Sequence, residues 1–204
     1  MKKLITLFTI QLILAASMLF AKEVTISVGA GECWKQKSEP QFALWIEDEN
    51  GNFIKTLYVT QRAGKKKWRM APKDGRPESL PVWYHKSQNE ISKTEPELDA
   101  VTSATPKGGI IFSAETGSKN CRICAEFNTS FDYNETFTKK NSGVNGQPSV
   151  IYQAELPADF SDEILLKLTG TGSLDGSNGE IHPVPETLTT AHKIVKAVAV
   201  KAVN

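Results

Sequence analysis

Short apolar runs that alternate with polar residues, cut by Gly, Asn, Asp and Pro, commit this chain to a β fold. Phe42, Leu44 and Ile46 line one face of an early strand. Asp48-Glu-Asn-Gly-Asn52 then supplies a turn before a second apolar run over 53–59, which together predict a hairpin. Further runs fall at 109–114, 121–128, 150–156, 164–169 and 194–203. The links between most of them are turn-length, so neighbours are expected to be antiparallel. From 68 to 108 the pattern breaks, and Pro72, Pro77, Pro81, Pro96 and Pro106 oppose a continuous strand or a long helix there. Residues 78–86 predict one or two helical turns carrying Trp83 and Tyr84. The expected architecture is all-β: an antiparallel, immunoglobulin-like β-sandwich with a long loop insertion at 68–108 and at most short helices.

The first 21 residues read as an export signal. Lys2 and Lys3 precede an apolar stretch, and the small residues Ala15, Ala16 and Ser17 lead to a cleavage point after Ala21. The competing assignment, a membrane anchor, requires about 20 clean apolar residues, and Thr6, Thr9 and Gln11 interrupt this one. A periplasmic or secreted location follows, with residues 22–204 as a single domain. The whole chain holds 24 Lys and Arg against 23 Asp and Glu, and cleavage removes two of the lysines. Such a balance argues against a nucleic-acid partner. The length is sufficient for a hydrophobic core that does not depend on disulfides.

Export exposes Cys33, Cys121 and Cys124 to an oxidising compartment. Within Cys121-Arg-Ile-Cys-Ala-Glu-Phe127, strand alternation puts Cys121, Ile123, Ala125 and Phe127 on one face and Cys124 on the other. Residues three apart on a strand are about 10 Å apart, too far for a bridge without a bulge. Cys33 paired with one of them is the favoured expectation; free thiols, or metal or redox chemistry at the C-x-x-C, are the alternatives.

The segment with most chemical content is Asp99-Ala-Val-Thr-Ser-Ala-Thr105, followed by Pro106-Lys-Gly-Gly109. Its carboxylate, three hydroxyls and small side chains suit an approachable extended loop. They equally suit a turn in which Asp99 or Thr102 bonds to nearby backbone. The segment resembles the flavin-attachment motif of FMN-binding domains in membrane-linked electron-transfer complexes. In those domains an exported flavin transferase joins FMN through its phosphate to the last hydroxyl of the motif. The resemblance implies Thr105 as acceptor, with Asp99, Thr102 and Ala104 as motif positions. Ser103 stands where the motif has Gly, and Pro106 departs from what normally follows.

A broader resemblance rests on Pro40-Gln-Phe-Ala-Leu-Trp-Ile-Glu-Asp48, Gly51-Asn-Phe-Ile-Lys-Thr-Leu57, Arg76-Pro-Glu-Ser-Leu-Pro-Val-Trp83, Asp99 to Pro106, Asn145-Gly-Gln-Pro-Ser149 and Leu188-Thr-Thr-Ala191. These stretches are similar to an uncharacterised bacterial family of predicted periplasmic proteins, some labelled with the flagellar hook-assembly name FlgD. That resemblance implies a setting beside flavin transferases and haem-linked membrane redox proteins. It assigns no step in that setting; the reading favoured for the chain is a non-enzymatic accessory or carrier.

For a flavin or haem partner, the Arg76 guanidinium and the aromatic faces of Trp83 and Tyr84 are the expected contacts. Two other classes remain: a FlgD-like assembly module using sheet edges around residues 41–59, and a small-ligand binder stacking its ligand on Trp45, Trp68, Trp83 and Tyr84. The basic stretch Arg62 to Arg69 surrounding Trp68 reads as a solvated loop or an anion-binding surface. His85, His182 and His192 share no ligand spacing. Asp175-Gly-Ser-Asn-Gly-Glu180 is out of register for an EF-hand and reads as a turn. No nucleophile elbow of the G-x-S-x-G type is present.

Overall fold

A computed structural model describes residues 22–34, 38–65, 76–91, 101–103 and 108–203. The strands are β1 (Lys22–Ala30), β2 (Gln41–Glu47), β3 (Phe53–Thr60), β4 (Val101–Ser103), β5 (Gly109–Thr116), β6 (Cys121–Asn128), β7 (Val150–Leu156), β8 (Ile164–Leu165), β9 (Lys167–Thr171) and β10 (Val195–Ala202). The helices are α1 (Gln61–Lys65), α2 (Pro81–Ile91) and α3 (Lys139–Ser142), with single 3-10 turns at Pro77–Ser79 and Ala191–Lys193. One sheet runs β5-β1-β10-β8 and the other β4-β3-β2-β6-β7-β9. All pairings are antiparallel except that of β4, which adds three residues parallel to the end of β3. The all-β sandwich expected from the sequence is therefore the architecture that forms.

Alternation fills the space between the sheets. Phe42, Leu44 and Ile46 of β2 meet Ile123, Ala125 and Phe127 of β6 and Val24, Ile26 and Val28 of β1 in the main core. Phe42 stacks on Tyr58 and Phe127, with ring centroids 5.0 and 5.3 Å away. The turn after β2 forms as its sequence predicts: Asp48 Oδ1 accepts the amides of Asn50 and Asn52 at 2.9 and 2.8 Å, and Gly51 takes a positive φ of 81°.

Three features differ from the sequence expectations. β1, with Val24, Ile26 and Val28 facing inward, adds a central strand where the sequence reading placed none. The single run expected at 164–169 divides at Leu166, whose amide donates to the Val198 carbonyl; β8 completes one sheet and β9 the other. The helical turns expected at 78–86 form instead as α2, which begins at Pro81 and runs 11 residues to Ile91. Proline at the first helical position leaves no intrahelical donor missing, so it starts this helix and does not break it.

Helix α2 covers the outer face of the six-stranded sheet. Leu80, Val82 and Trp83 pack on Ala43, Trp45, Val59, Cys124 and Ile151 in a second core. β2 is consequently buried on both faces along its whole length. Sitting between β3 and β6, it offers no edge for the strand addition considered around residues 41–59, and β4 covers β3 over Tyr58–Thr60. Among the described residues, that leaves Phe53–Leu57 as the part of the hairpin with no strand beyond it.

Candidate functional site

The face beneath α2 is built from cross-strand rows. β2, β6 and β7 place Glu47, Arg122 and Glu155 in one row, Trp45, Cys124 and Gln153 in the next, and Ala43, Glu126 and Ile151 in the third. Strand alternation aims all nine away from the main core, and the helix then encloses most of them.

Glu126 is fully buried. Its carboxylate accepts the backbone amides of Val82 at 3.3 Å and Trp83 at 2.8 Å, the exposed donors of the first turn of α2, and the Ser149 hydroxyl at 2.6 Å. A strand side chain thus caps the helix, where the positive end of the helix dipole favours an anion. Burial nevertheless dominates and pushes the carboxyl up to about 7, with the hydrogen bonds from Ser149, Trp83 and Val82 opposing it. Gly172 leaves room for the carboxylate: a Cβ there would meet Pro81, Ser149 and Glu126 at 2.5, 2.5 and 3.0 Å.

Glu47, equally buried, accepts the Trp45 indole N–H at 2.8 Å and pairs with Lys86 of α2 at 2.7 Å, with an Arg122 nitrogen 3.7 Å away. Arg122 Nε donates to Glu155 at 2.7 Å. Sequence reasoning missed Glu47 and Glu126, because outward positions of a strand normally meet solvent. The one usable sign was the polarity of Glu126 within Ile123 to Phe127, whose other members are apolar.

A second polar cluster joins three of the motif stretches. Arg76 donates to Glu78 at 3.0 Å, to the Ser130 hydroxyl at 3.0 Å and to Asn145 Oδ1. Asn145 Nδ2 returns a bond to the Glu78 carbonyl at 2.6 Å. Gln147 donates to Asp132 Oδ2 at 2.9 Å and accepts the Thr189 amide at 2.7 Å, while Thr190 donates to Asp132 Oδ1. Between Asn145 and Gln147 the chain must pass close to Asp132: Gly146 has φ 85°, and a Cβ there would lie 2.3 Å from the Asp132 carbonyl oxygen. The stretches at 76–83, 145–149 and 188–191 meet here because each supplies part of one network that clamps the approach to α2 onto the sandwich.

The expected flavin contacts are located differently from the sequence reading. Trp83 is 1 % exposed, and its indole donates to Thr56 Oγ1 at 3.0 Å. Arg76 is committed to three partners, and Trp45 is wholly buried. Trp83 is therefore enclosed in the second core with its indole already bonded, and the part-exposed Arg76 spends its donors on anchoring the approach to α2. Tyr84 is half-buried against the second core, edge-on to His85 with centroids 5.4 Å apart. Thr102 lies in β4, opposite Val59. Asp99, Ala104, Thr105 and Trp68 lie outside the described residues.

All three cysteines are buried free thiols, so the expected bridge from Cys33 is not formed. Cys121 and Cys124 occupy the opposite faces that alternation assigns them, one in each core. Burial pushes each thiol up; Asp132 adds to the effect at Cys33, Glu155 at Cys121 and Glu47 at Cys124. A thiol held protonated is a poor nucleophile and a poor metal ligand. Among the described residues no group of three or more His, Cys, Asp or Glu side chains is placed to hold a metal. His85 Nε2 bonds to the Gly176 carbonyl at 2.9 Å, and Asp175 Oδ1 accepts the Ser177 amide at 3.0 Å, so the 175–180 segment is a self-bonded turn resting on α2.

Among the described residues no helix is long and apolar enough to cross a membrane. Comparison with curated proteins and with solved structures gives no match. Over residues 23–120, from β1 to the turn before β6 and including the covering helix, the chain matches the family described as predicted periplasmic protein (DUF2271).

Proposed function

We propose that this exported sandwich is a non-enzymatic accessory or carrier in extracytoplasmic flavin- or haem-linked electron transfer, bearing FMN covalently at Thr105. The observation that supports the reading is the position of the motif's flanks. Thr102 belongs to the outermost strand of the six-stranded sheet, and Gly108, on the other side, is exposed with nothing within 4 Å of the place a Cβ would occupy. A modifying enzyme needs such access to an acceptor hydroxyl. In the attachment step a flavin dinucleotide is the donor. A phosphoester bond forms between Thr105 Oγ and the FMN phosphate, the pyrophosphate bond breaks, AMP leaves, and the hydroxyl proton passes to the transferase.

FMN supplies one- and two-electron redox chemistry once attached. This chain supplies the tether and a rigid support, because β4 is fixed on β3 and the sandwich beneath it is close-packed. The partners of the reading are an exported flavin transferase and a membrane redox protein that exchanges electrons with the carried flavin. After co-expression with an exported flavin transferase and denaturing electrophoresis, the wild-type band should fluoresce as flavin and that of Thr105→Ala should not. Equal fluorescence in the two bands would move the attachment elsewhere, and a dark wild-type band with a labelled control substrate would end the carrier reading.

A further inference from the structure

At the end of the sandwich formed by the β2–β3 and β5–β6 turns lies a cleft of about 560 Å³, within the size range of small-molecule sites. It sits at the Thr116 end of β5, the opposite end from Gly109, so it is independent of the flavin reading. Its floor is apolar: Ile46 and Cys121 are almost wholly buried, and Ile54 at the rim is 48 % exposed. A large aliphatic side chain half in water beside an apolar floor gains from any ligand that covers it.

The polar groups of the wall divide unequally. Asp48 has both carboxylate oxygens occupied by Asn50 and Asn52, which holds its carboxyl below the usual range, with the Asn52 side chain the largest cause. Glu49 accepts Asn120 Nδ2 at 2.8 Å, and Asn120 in turn accepts the Ala158 amide at 2.9 Å, fixing the two turns and the 157–160 segment together. Lys55 and Lys119, which also line the cleft, form no ion pair among the described residues. With Asp48 and Glu49 engaged in the turns, the two ammonium groups are the charged groups of the cleft left without a described partner. A neighbouring depression of about 410 Å³ shares Lys55 but is flanked by Glu23 and Glu115, which confines an anion to the Lys119 side.

We propose that this cleft binds an amphipathic organic anion, its apolar body on Ile46, Ile54 and Cys121 and its carboxylate between Lys55 and Lys119. The probe is decanoate, with decyltrimethylammonium as the same chain bearing the opposite charge, titrated into the isotopically labelled exported protein. Decanoate should give saturable amide shifts at Ile54, Lys55 and the 117–121 turn and bind more tightly than the cation. Lys55→Ala with Lys119→Ala should weaken decanoate by about five- to tenfold, the value of two partly exposed ion pairs, and leave the cation's affinity unchanged or improved. Ile54→Ser should weaken both probes. Equal affinities for the two probes, shifts centred elsewhere, or no saturation by about 10 mM, a concentration at which binding carries little free energy, would overturn the assignment. Retained dispersion in the amide spectra of the variants shows that folding is intact.

Discussion

Glu126→Gln isolates the energetic cost of the carboxylate buried beneath α2. In the folded protein this carboxyl is raised to about 7 from an ordinary 4.5. Folding therefore favours a bound proton between those two values. Stability contributed by the protonated group is fully present below pH 4.5 and is lost as the pH rises to about 7, after which it is flat. The difference corresponds to about 3 kcal/mol, and because the group is fully buried no solvent screening reduces it. Urea unfolding, followed by the fluorescence of the buried Trp45 and Trp83 at intervals from pH 4.5 to 8, reads this directly. The stability of the wild type relative to Glu126→Gln should fall across the range by an amount of that order, since other titrating groups cancel in the comparison. Parallel profiles for the two proteins would refute the reasoning, showing that the amides of Val82 and Trp83 and the Ser149 hydroxyl fully offset the burial.

Removing the acceptor altogether, Glu126→Ala, orphans two buried amides and should cost about 1–3 kcal/mol by the same assay at pH 5. Gly146→Ala should fail to fold or lose most of its stability, because the added Cβ would lie 2.3 Å from the Asp132 carbonyl at a positive φ; a thermal midpoint near the wild-type value would contradict the clamp geometry. Arg76→Ala should destabilise the protein by about 1–3 kcal/mol and increase hydrogen exchange through α2, since it unpairs Asn145 and Ser130. The three thiols should resist iodoacetamide in the native protein and take up three labels after denaturation, a count that intact mass gives directly.

The sandwich was legible because its strands alternate. The inward face of β2 and the turn at Asp48 are written in Phe42, Leu44, Ile46 and the Asp48-Glu-Asn-Gly-Asn52 sequence, and local chemistry alone decides them. β1 was less legible although Val24, Ile26 and Val28 alternate just as clearly, because a longer apolar stretch lies close before them in the sequence. The exchange of sheets at Leu166 is set by tertiary pairing, which no local pattern encodes. The helix-covered face was the least legible part. Burial of Glu47 and Glu126 depends on where α2 lands, and a sequence that shows Trp83 beside prolines does not show that its indole ends on Thr56. The motif stretches at 76–83, 145–149 and 188–191 were recognisable as stretches, but their convergence on Arg76, Asp132 and Gln147 exists only in three dimensions. The segment at Asp99–Thr105 was legible as chemistry, through its hydroxyls and small residues, while its surroundings were not.

The carrier reading stands or falls on covalent attachment at one hydroxyl. The most direct measurement is the intact mass of the exported protein after co-expression with an active flavin transferase, beside that of Thr105→Ala. The account predicts a gain of one FMN less one water in the wild type, relative to protein made without the transferase, and none in the variant. An unmodified wild-type mass, from a preparation in which a control substrate is fully flavinylated, would contradict it.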